Sequence, residues 1–394
     1  QLLLLDPSTD VAQTYHRFNL GGTLNPNLPV LQETALMLYY FGDDFSSNEF
    51  QIISDSKLGF SIAGTDLDFG LHLNFLSGSF DFLDNQGLNG DYSFLNLGLT
   101  SPEISVEQGD FEALAGLEVV FANDLENSEN DLYVYPKVNL SYALPGGYKL
   151  FGEATGGLQQ HSFRTLADEN PFVASALFIA ATDNKLNLKT GIDGSITEGL
   201  FFSLFAKYRI EDNKALFAKR DFNSLNSGQE AFDFGNSFNV IYDDVNTLSF
   251  GLSAEYEFSN QLRFNLSGEY FDYSLDGKNN PLEIAANLPD YQVAFTTYYR
   301  PADRWSLRLG LNLVGEREAF GFELPTPGAV EEVAIKKSLD AYLDANLEIG
   351  YQINERFSAF LRGNNLLDDD YQRWNDFSVQ GIQVLGGLSY KFDW

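Results

Sequence analysis

Apolar and polar residues alternate with a period of two along most of this chain. In residues 247–258 every even position is Leu, Phe, Ala or Tyr, and every odd position is Thr, Ser, Gly or Glu. The alternation stops at Ser259 and Asn260 and then resumes through residues 261–270. A period of two puts alternate side chains on opposite faces of a β-strand, so these two runs predict a hairpin closed by a two-residue turn.

The same alternation recurs along the whole chain. Further runs occupy residues 67–75, 138–144, 200–210, 305–313 and 343–353. An amphipathic helix would repeat its apolar residues every three to four positions, and no segment shows a comparable helical stripe. The chain is therefore predicted to be all-β.

Connections of two kinds separate the runs. Tight turns are predicted near residues 64–65, 101–103, 145–147, 197–199, 259–260, 301–303 and 354–355, with a longer one at 23–29. Long polar connectors are predicted at residues 41–50, 79–90, 122–131, 159–184, 211–246, 274–289, 315–338 and 366–379. Short and long connections alternate, as they do in outer-membrane barrels with short periplasmic turns and long extracellular loops.

Strand length distinguishes a membrane barrel from a soluble sandwich. Soluble strands average about 5 to 6 residues, membrane-spanning strands need about 9 to 11, and several runs here are longer still. Aromatic residues also lie at the ends of the apolar faces, as in membrane girdles: Tyr256, Phe258, Tyr270, Trp305, Tyr351, Phe357, Tyr390 and Phe392. We predict an all-β transmembrane antiparallel up-and-down β-barrel of about 16–18 strands in the bacterial outer membrane.

The strand count affects the expected domain boundaries. The segments number 17, whereas single-chain bacterial barrels have an even number of strands. We therefore expect residues 1–13 to hold the stub of a further strand, centred on residues 2–5, and we expect upstream sequence to precede it. Residues 1–394 otherwise form a single barrel domain.

Charge and cysteine content exclude several classes of function. The 56 acidic and 24 basic residues give a net charge of −32, which excludes nucleic-acid binding because that function needs a basic surface. The absence of cysteine excludes disulfide scaffolds and thiolate metal sites. The longest run of apolar and small residues, 172–181, is about half the length of a spanning helix, which excludes a helical membrane protein.

The polar face of the strands is predicted to line the lumen. In that phase twelve acids and twelve bases balance each other, so we expect the acidic excess to lie in turns and loops. An open lumen of this size would compromise the membrane, so residues 159–184 and 211–246, or a partner, are expected to occlude it if no plug lies upstream. The candidate lumen-lining residues are Lys207, Arg209, Glu255, Glu257, Arg263, Glu269, Arg308, Glu348 and Arg362.

The C-terminal sequence carries a family resemblance. Residues 356–371 are RFSAFLRGNNLLDDDY, followed by Trp374 and by the glycine-rich strand GGLSYKF at residues 386–392. This ending resembles that of TonB-dependent receptors, especially Bacteroidetes-type members, and the resemblance implies a solute-transport barrel. Family members also carry an N-terminal plug domain and an energy-coupling box, and neither is visible in this sequence.

The last aromatic residues suggest how the barrel is assembled. Tyr390, Phe392 and Trp394 share one strand phase at the end of the chain. Such an ending resembles the C-terminal signal by which outer-membrane barrels are recognised for insertion. The resemblance implies outer-membrane lipids and the barrel assembly machinery as partners.

Patterns typical of catalysis or metal binding are sparse. His72 shares the polar phase with Asp66 and Asp68, but polar lining of the lumen is favoured over a hydrolase site, and no enzyme activity is expected. No cofactor is expected either, apart from loop-bound Ca²⁺. One acidic loop offers oxygen ligands suited to Ca²⁺ without the spacing of a defined calcium loop, so a solvated loop is favoured: Asp124, Glu126, Glu129 and Asp131.

Two functions remain open from the sequence. The first is a transport barrel, resembling a TonB-dependent receptor or a porin, that passes solutes across the outer membrane. The second is a structural barrel subunit that does not transport and instead binds surface lipoproteins or other outer-membrane subunits in a complex. Conductance distinguishes them, because only the first contains a passage.

Overall fold

The chain folds almost entirely into β-strands. The computed structural model describes residues 12–26, 28, 30–62, 64–81, 90–221, 232–278, 280–323 and 333–392. The first strands are β1 (Tyr15–Leu24), β2 (Leu31–Asp43), β3 (Asn48–Ile62), β4 (Thr65–Ser79), β5 (Asp91–Thr100), β6 (Ile104–Gln108), β7 (Phe111–Asp124), β8 (Glu129–Leu144) and β9 (Tyr148–Gln160).

One short helix, α1 (Phe163–Glu169), separates these strands from the rest. The later strands are β10 (Ala181–Thr197), β11 (Leu200–Lys219), β12 (Phe238–Ser259), β13 (Leu262–Leu275), β14 (Tyr291–Tyr299), β15 (Trp305–Val314), β16 (Arg317–Glu323), β17 (Val333–Leu339), β18 (Tyr342–Gln352), β19 (Phe357–Asn364), β20 (Gln372–Trp374), β21 (Phe377–Ser378) and β22 (Gln383–Tyr390). Among the described residues, no helix is long and apolar enough to cross a membrane.

A single antiparallel sheet forms the wall of the molecule. Its strands pair with their neighbours in the chain, in up-and-down order, while β16–β17 and β20–β21 form separate two-stranded hairpins. β5 and β6 both pair with β7 and make one interrupted strand, so the wall has 17 strands. This number lies within the predicted range.

The interruption between β5 and β6 corrects one predicted turn. Residues 101–103 do not reverse the chain; the turn comes later, at Gly109 and Asp110, where Gly109 has a φ of 62°. Pro102 lacks an N–H and therefore breaks the ladder, and the Ser101 side chain compensates by accepting a 2.9 Å hydrogen bond from Leu117 N. The strand then continues on the other side of the proline.

Two predicted long connectors are tight turns instead. β2 and β3 are joined by residues 44–47, and β7 and β8 by residues 125–128. In each turn the preceding aspartate caps the backbone: Asp43 accepts hydrogen bonds from Phe45 N and Ser47 N, and Asp124 accepts them from Glu126 N and Asn127 N. The polar residues that suggested long loops are thus turn formers.

The two faces of the wall differ as the alternation predicts. Leu204, Phe250 and Phe258 lie on the apolar face and are 49%, 56% and 62% exposed, respectively. Aromatic pairs lie close to the short turns on this face, with ring centroids 4.7 Å apart for both Trp305–Tyr351 and Phe357–Tyr390. An exposed apolar band with aromatic residues near its edge suits contact with lipid.

The buried core lies at the end of the long connections. It is formed by residues of the segment between β9 and β10, by the adjacent ends of strands, and by Trp374, which is 7% exposed. Much of the segment predicted as the connector 211–246 is strand, because β11 continues to Lys219 and β12 begins at Phe238. The connectors predicted at 315–338 and 366–379 likewise contain the hairpins β16–β17 and β20–β21.

The two outermost strands of the sheet are β1 and β22. β1 pairs with β2, and β22 pairs with β19. No ladder joins β1 to β22 within the ranges described above. The predicted strand stub at residues 2–5 lies outside the described residues.

Candidate functional site

The lumen contains a segment of the chain itself. Residues 161–180, here called the internal loop, connect β9 to β10 and include α1. Ser162 starts the helix with a capping box, in which its side chain accepts a hydrogen bond from Thr165 N and the Thr165 side chain accepts one from Ser162 N. Phe163, Val173 and Ala174 are 0% exposed, so the loop is enclosed by the structure around it.

The start of α1 is held by one buried carboxylate on β3. Glu49 Oε2 accepts a 2.6 Å hydrogen bond from Phe163 N, and Oε1 accepts a 3.2 Å hydrogen bond from Arg164 N. Tyr92 Oη donates to the same carboxylate at 2.8 Å. Glu49 is 1% exposed. The two carboxyl oxygens satisfy backbone N–H groups that a helix leaves unpaired at its first turn.

Charged side chains attach the helix to β1, β2 and β3. The Arg164 guanidinium donates a 2.9 Å hydrogen bond to Gln51 and lies 4.1 Å from the centroid of the Tyr39 ring. Asp168 forms an ion pair with Arg17 on β1. These contacts join the helix to three consecutive strands.

The second half of the internal loop reaches the other side of the wall. Val173 forms a parallel β-bridge with Phe238 of β12, and Ala174 N donates a 2.9 Å hydrogen bond to Phe238 O. In the same half, the Ser175 hydroxyl donates a hydrogen bond to the Asp43 carboxylate on β2 and accepts one from the Gln13 side-chain amide. The loop therefore connects β1–β3 to β12, which lies eight to ten wall strands further along the chain. This connection requires the sheet to curl around the loop.

Aromatic packing fills the space around α1. The Phe163 ring lies 5.9 Å from Tyr15, 5.1 Å from Phe41 and 5.0 Å from Phe80, measured between centroids and in edge-on geometry. Such pairs add to the gain from burying the apolar surface. Phe172 stacks on Phe377 of β21 at 3.9 Å, so the hairpin β20–β21 also contacts the loop.

A buried histidine begins the internal loop. His161 is 7% exposed, and its Nε2 lies 2.7 Å from Thr182 Oγ1. Burial, assisted by the nearby positive charge of Lys214, lowers the pKa of His161 to about 4. The imidazole is therefore neutral at pH 7. The sequence offered no partner pattern for this residue.

A β-bulge directs the long hairpin β11–β12 towards the loop. The ladder shifts register between Glu211 and Lys214, and such bulges bend a strand. Beyond the bulge, Tyr242 Oη donates a hydrogen bond to Phe178 O and accepts one from Ala180 N, each at 3.1 Å. The end of the hairpin thus covers the internal loop.

Open space remains in the molecule. A cavity of about 740 Å³ lies between the internal loop and β5, β7 and β8, and its wall includes Asp124, Glu129 and Asp131. A second cavity of about 680 Å³ lies near the short turns and is lined by strand and turn residues that include Lys149 and Glu255, with no residue of the internal loop in its lining.

The predicted lumen-lining residues lie on a continuous part of the wall, from β11 to β19. Arg263 lies 3.4 Å from Glu255 and 2.5 Å from Glu257. Other contacts within the set join Lys207 to Glu269 at 2.9 Å and Arg362 Nε to Glu348 at 2.7 Å. The remaining two bases are Arg209, 3.8 Å from Glu211, and Arg308, stacked on Tyr298.

The strands are longer than predicted and add charged residues of both signs to the polar face. Glu49, Asp55 and Asp183 add carboxylates, and Lys214 adds a base. The predicted charge balance of the lumen stays a prediction. Asp55 is also the partner of His72, at 2.7 Å. Asp68, which shares a phase with His72, instead pairs with Lys57 at 2.9 Å. The histidine thus contacts a carboxylate on the neighbouring strand.

The calcium candidates lie in or beside the β7–β8 turn. Asp124 uses its carboxylate to bond Glu126 N, Asn127 N and the Asn127 amide. Within the described ranges no group of three or more His, Asp or Glu side chains is arranged to hold a metal ion. Calcium binding at Asp124, Glu126, Glu129 and Asp131 stays a prediction.

The predicted insertion signal is described in part. Tyr390 and Phe392 are exposed, with ring centroids 4.6 Å apart, while Trp394 lies outside the described residues. Recognition by the assembly machinery stays a prediction.

Comparison with known proteins identifies the fold. No family model and no curated protein matches the chain. Among solved structures, the FrpB iron transporter from Neisseria meningitidis has a TM-score of 0.61 at 12% identity, with 96% of this chain and 63% of that chain covered. The siderophore receptor PirA from Acinetobacter baumannii has a TM-score of 0.61 at 13% identity, with 96% of this chain and 63% of that chain covered. The ferric enterobactin receptor PfeA from Pseudomonas aeruginosa has a TM-score of 0.60 at 13% identity, with 96% of this chain and 62% of that chain covered.

These neighbours are TonB-dependent outer-membrane receptors and transporters, not enzymes, and they are longer than this chain. The chain spans 65% of the copper transporter OprC and 52% of the receptor in a pyocin complex. At such low identity the likeness shows the fold. The predicted antiparallel up-and-down β-barrel fold, of the kind found in outer-membrane receptors, is confirmed.

Proposed function

We propose that this chain passes a solute across the outer membrane through its lumen and that the internal loop keeps the lumen closed until it moves. One observation carries this proposal: the internal loop spans the lumen from β1–β3 to β12. Hydrogen bonds and buried apolar side chains both attach it to the wall. Undocking exposes this apolar surface to water, so the docked and closed position is the favoured one.

We further propose that the chain is related to the TonB-dependent receptors, as its C-terminal sequence suggests. The barrel fold supports this relation, and the neighbours described as a copper transporter and an iron transporter support solute transport. The Bacteroidetes-type affiliation rests on the sequence of residues 356–392 alone. A plug domain is not needed to account for the closed lumen.

The alternative function is a closed barrel subunit that binds surface lipoproteins or other outer-membrane proteins. One observation favours it: the hairpins β16–β17 and β20–β21 are fixed to each other by Arg317, which donates hydrogen bonds to Gln372 O and Arg373 O at 2.7 and 2.8 Å. A rigid extracellular end of this kind suits docking of a partner.

Removal of the internal loop separates the two functions. Gln160 and Ala181 are register partners of β9 and β10, so the dipeptide Asn-Gly can replace residues 161–180 as a two-residue hairpin turn. The matched control replaces residues 315–341, which include β16–β17, by the same dipeptide, because Val314 and Tyr342 are also register partners. Both variants must keep heat-modifiable mobility on denaturing gels, which shows that the barrel is intact.

Ionic current through planar bilayers is the measurement. We expect the native chain and the control variant to be closed most of the time, and the variant without the internal loop to give steady open-channel current. Silence of the loop-free variant would contradict transport and favour the barrel subunit. Large steady currents through the native chain would contradict closure by the loop.

A further inference from the structure

A small pocket in the wall of the lumen has an unusual charge for this acidic chain. It has a volume of about 110 Å³, lies on β11, β12 and β13, and is covered by Leu288 from the β13–β14 connection. Three cationic side chains, Lys207, Arg209 and Lys214, line it together with one carboxylate, Glu269. The volume suits a few water molecules or one small anion.

Two carboxylates lie at or beside this pocket. Glu269 accepts hydrogen bonds from Lys207 Nζ, at 2.9 and 3.0 Å, and from Ser249 Oγ at 2.6 Å. Glu211, which lies beside the pocket, accepts a 2.8 Å hydrogen bond from Lys214 Nζ through Oε1, while its Oε2 is buried without a partner among the described residues. Three cations against these two carboxylates give this group of side chains one net positive charge.

That positive charge is centred on Arg209. Its guanidinium carries five N–H donors, yet its contact with Glu211 is a 3.8 Å ion pair, and no hydrogen bond of its side chain is found in the described part of the chain. The guanidinium therefore has donors to offer to a ligand. Arginine binds carboxylate and phosphate groups in a bidentate manner.

A second donor lies directly across the strand pair. Thr247 is the register partner of Arg209 and lines the same pocket. It is only 7% exposed, and its Oγ1 has no hydrogen-bond partner among the residues that the structure describes. A buried hydroxyl without a partner costs free energy, and an acceptor oxygen bound in the pocket would remove that cost.

We propose that this pocket binds a small oxyanion, a carboxylate or phosphate group, through the Arg209 guanidinium and the Thr247 hydroxyl, with Lys207 and Lys214 on either side. The group is either a free ion or the anionic part of a larger solute in the lumen. Binding here requires no passage through the barrel. The proposal therefore fails or holds separately from the proposed transport function.

The test is calorimetric titration of the full chain in detergent with inorganic phosphate and, separately, with acetate. Sodium chloride at matched ionic strength serves as the reference. We expect saturable binding of at least one oxyanion and none of chloride. Binding of phosphate alone identifies a phosphate group as the ligand, binding of acetate alone identifies a carboxylate, and binding of both supports the shared chemistry.

Three variants locate the binding. Arg209→Gln should weaken it at least tenfold, and Thr247→Val should weaken it several-fold. Lys137→Gln removes one lumen charge on β8, where Lys137 lies 3.1 Å from Glu103, and should leave binding unchanged. The proposal is overturned if the native chain binds no oxyanion, or if Arg209→Gln and Lys137→Gln weaken binding equally. Heat-modifiable mobility on denaturing gels confirms that each variant is folded.

Discussion

The replacement Phe163→Ala should open the lumen without damaging the barrel. Phe163 is 0% exposed and packs against three aromatic rings, while its backbone N–H bonds Glu49. The strand ladders of the wall do not include residue 163. The substitution therefore acts on the docking of the internal loop rather than on the pairing of the strands.

The size of the effect follows from the buried ring. Replacing a fully buried Phe by Ala costs about 3–5 kcal/mol, and each 1.4 kcal/mol changes an equilibrium by about tenfold. If the ring is buried only while the loop is docked, the ratio of undocked to docked loop rises at least about 100-fold. The fraction of time that the channel conducts should rise by the same factor until it saturates.

Single-channel recording in planar bilayers measures this fraction directly. Phe178→Ala is the matched control, because Phe178 lies in the same loop but is 59% exposed. We expect frequent openings for Phe163→Ala and native behaviour for Phe178→Ala. Equal opening in the two variants, or no opening in either, would refute the argument that burial of Phe163 holds the loop.

Three further predictions follow from the same geometry. Glu49→Gln replaces the carboxyl group that accepts hydrogen bonds from two N–H groups of α1. It should weaken docking by about 1–2 kcal/mol, seen as about a tenfold rise in open probability. A native open probability in this variant would show that the carboxyl group is unimportant for docking. Burial lowers the pKa of His161 to about 4, whereas an exposed histidine has a pKa of about 6.5. The undocked loop therefore takes up a proton more readily than the docked loop. Docking should weaken as the pH falls from about 6.5 towards 4. His161→Gln should remove this dependence of the current on pH, and a variant that still opens in acid would exclude His161 as its source. The native chain should also require detergent and migrate faster on denaturing gels before heating than after it, whereas solubility without detergent would contradict the membrane barrel.

The alternating pattern predicts the strands and their faces because both are local properties. A residue and its second neighbour lie on the same face of any extended strand, so the phase of Arg263 and Glu255 followed from the sequence. The structure places the two-residue turn at residues 260–261, one position later than predicted. A register shift between Glu257 and Ser259 then pairs Glu257 with Arg263 and brings Arg263 within 3.4 Å of Glu255. The phase of these residues was therefore within reach of sequence analysis, and their register was not.

Turns and connectors were harder to predict, because the same polar residues form both. Asp43 and Asp124 looked like the beginnings of long loops, but their side chains cap four-residue turns. Pro102 suggested a turn, yet it interrupts a continuing strand. Polarity shows that a segment avoids lipid but does not show whether the chain reverses there.

The internal loop shows the main limit of the sequence. Occlusion of the lumen by residues 159–184 could be expected from the size of the barrel, but the attachment points could not, since Glu49 and Phe163 are 114 positions apart. The seven-residue helix α1 is too short to show a helical period. The Ser162 and Thr165 pair was its one local signal, and it resembles many polar pairs in this chain.

Labelling of a single cysteine tests the central claim most directly. The chain has no native cysteine, so Ser253→Cys, in the cavity near the short turns, gives one reactive position inside the lumen. Asn127→Cys in the exposed β7–β8 turn serves as the positive control. A maleimide attached to a polymer too large for general porins is added outside intact cells. We predict that Ser253→Cys is protected in the native background and labelled when Asn-Gly replaces residues 161–180; equal labelling in both backgrounds would contradict closure of the lumen by the internal loop.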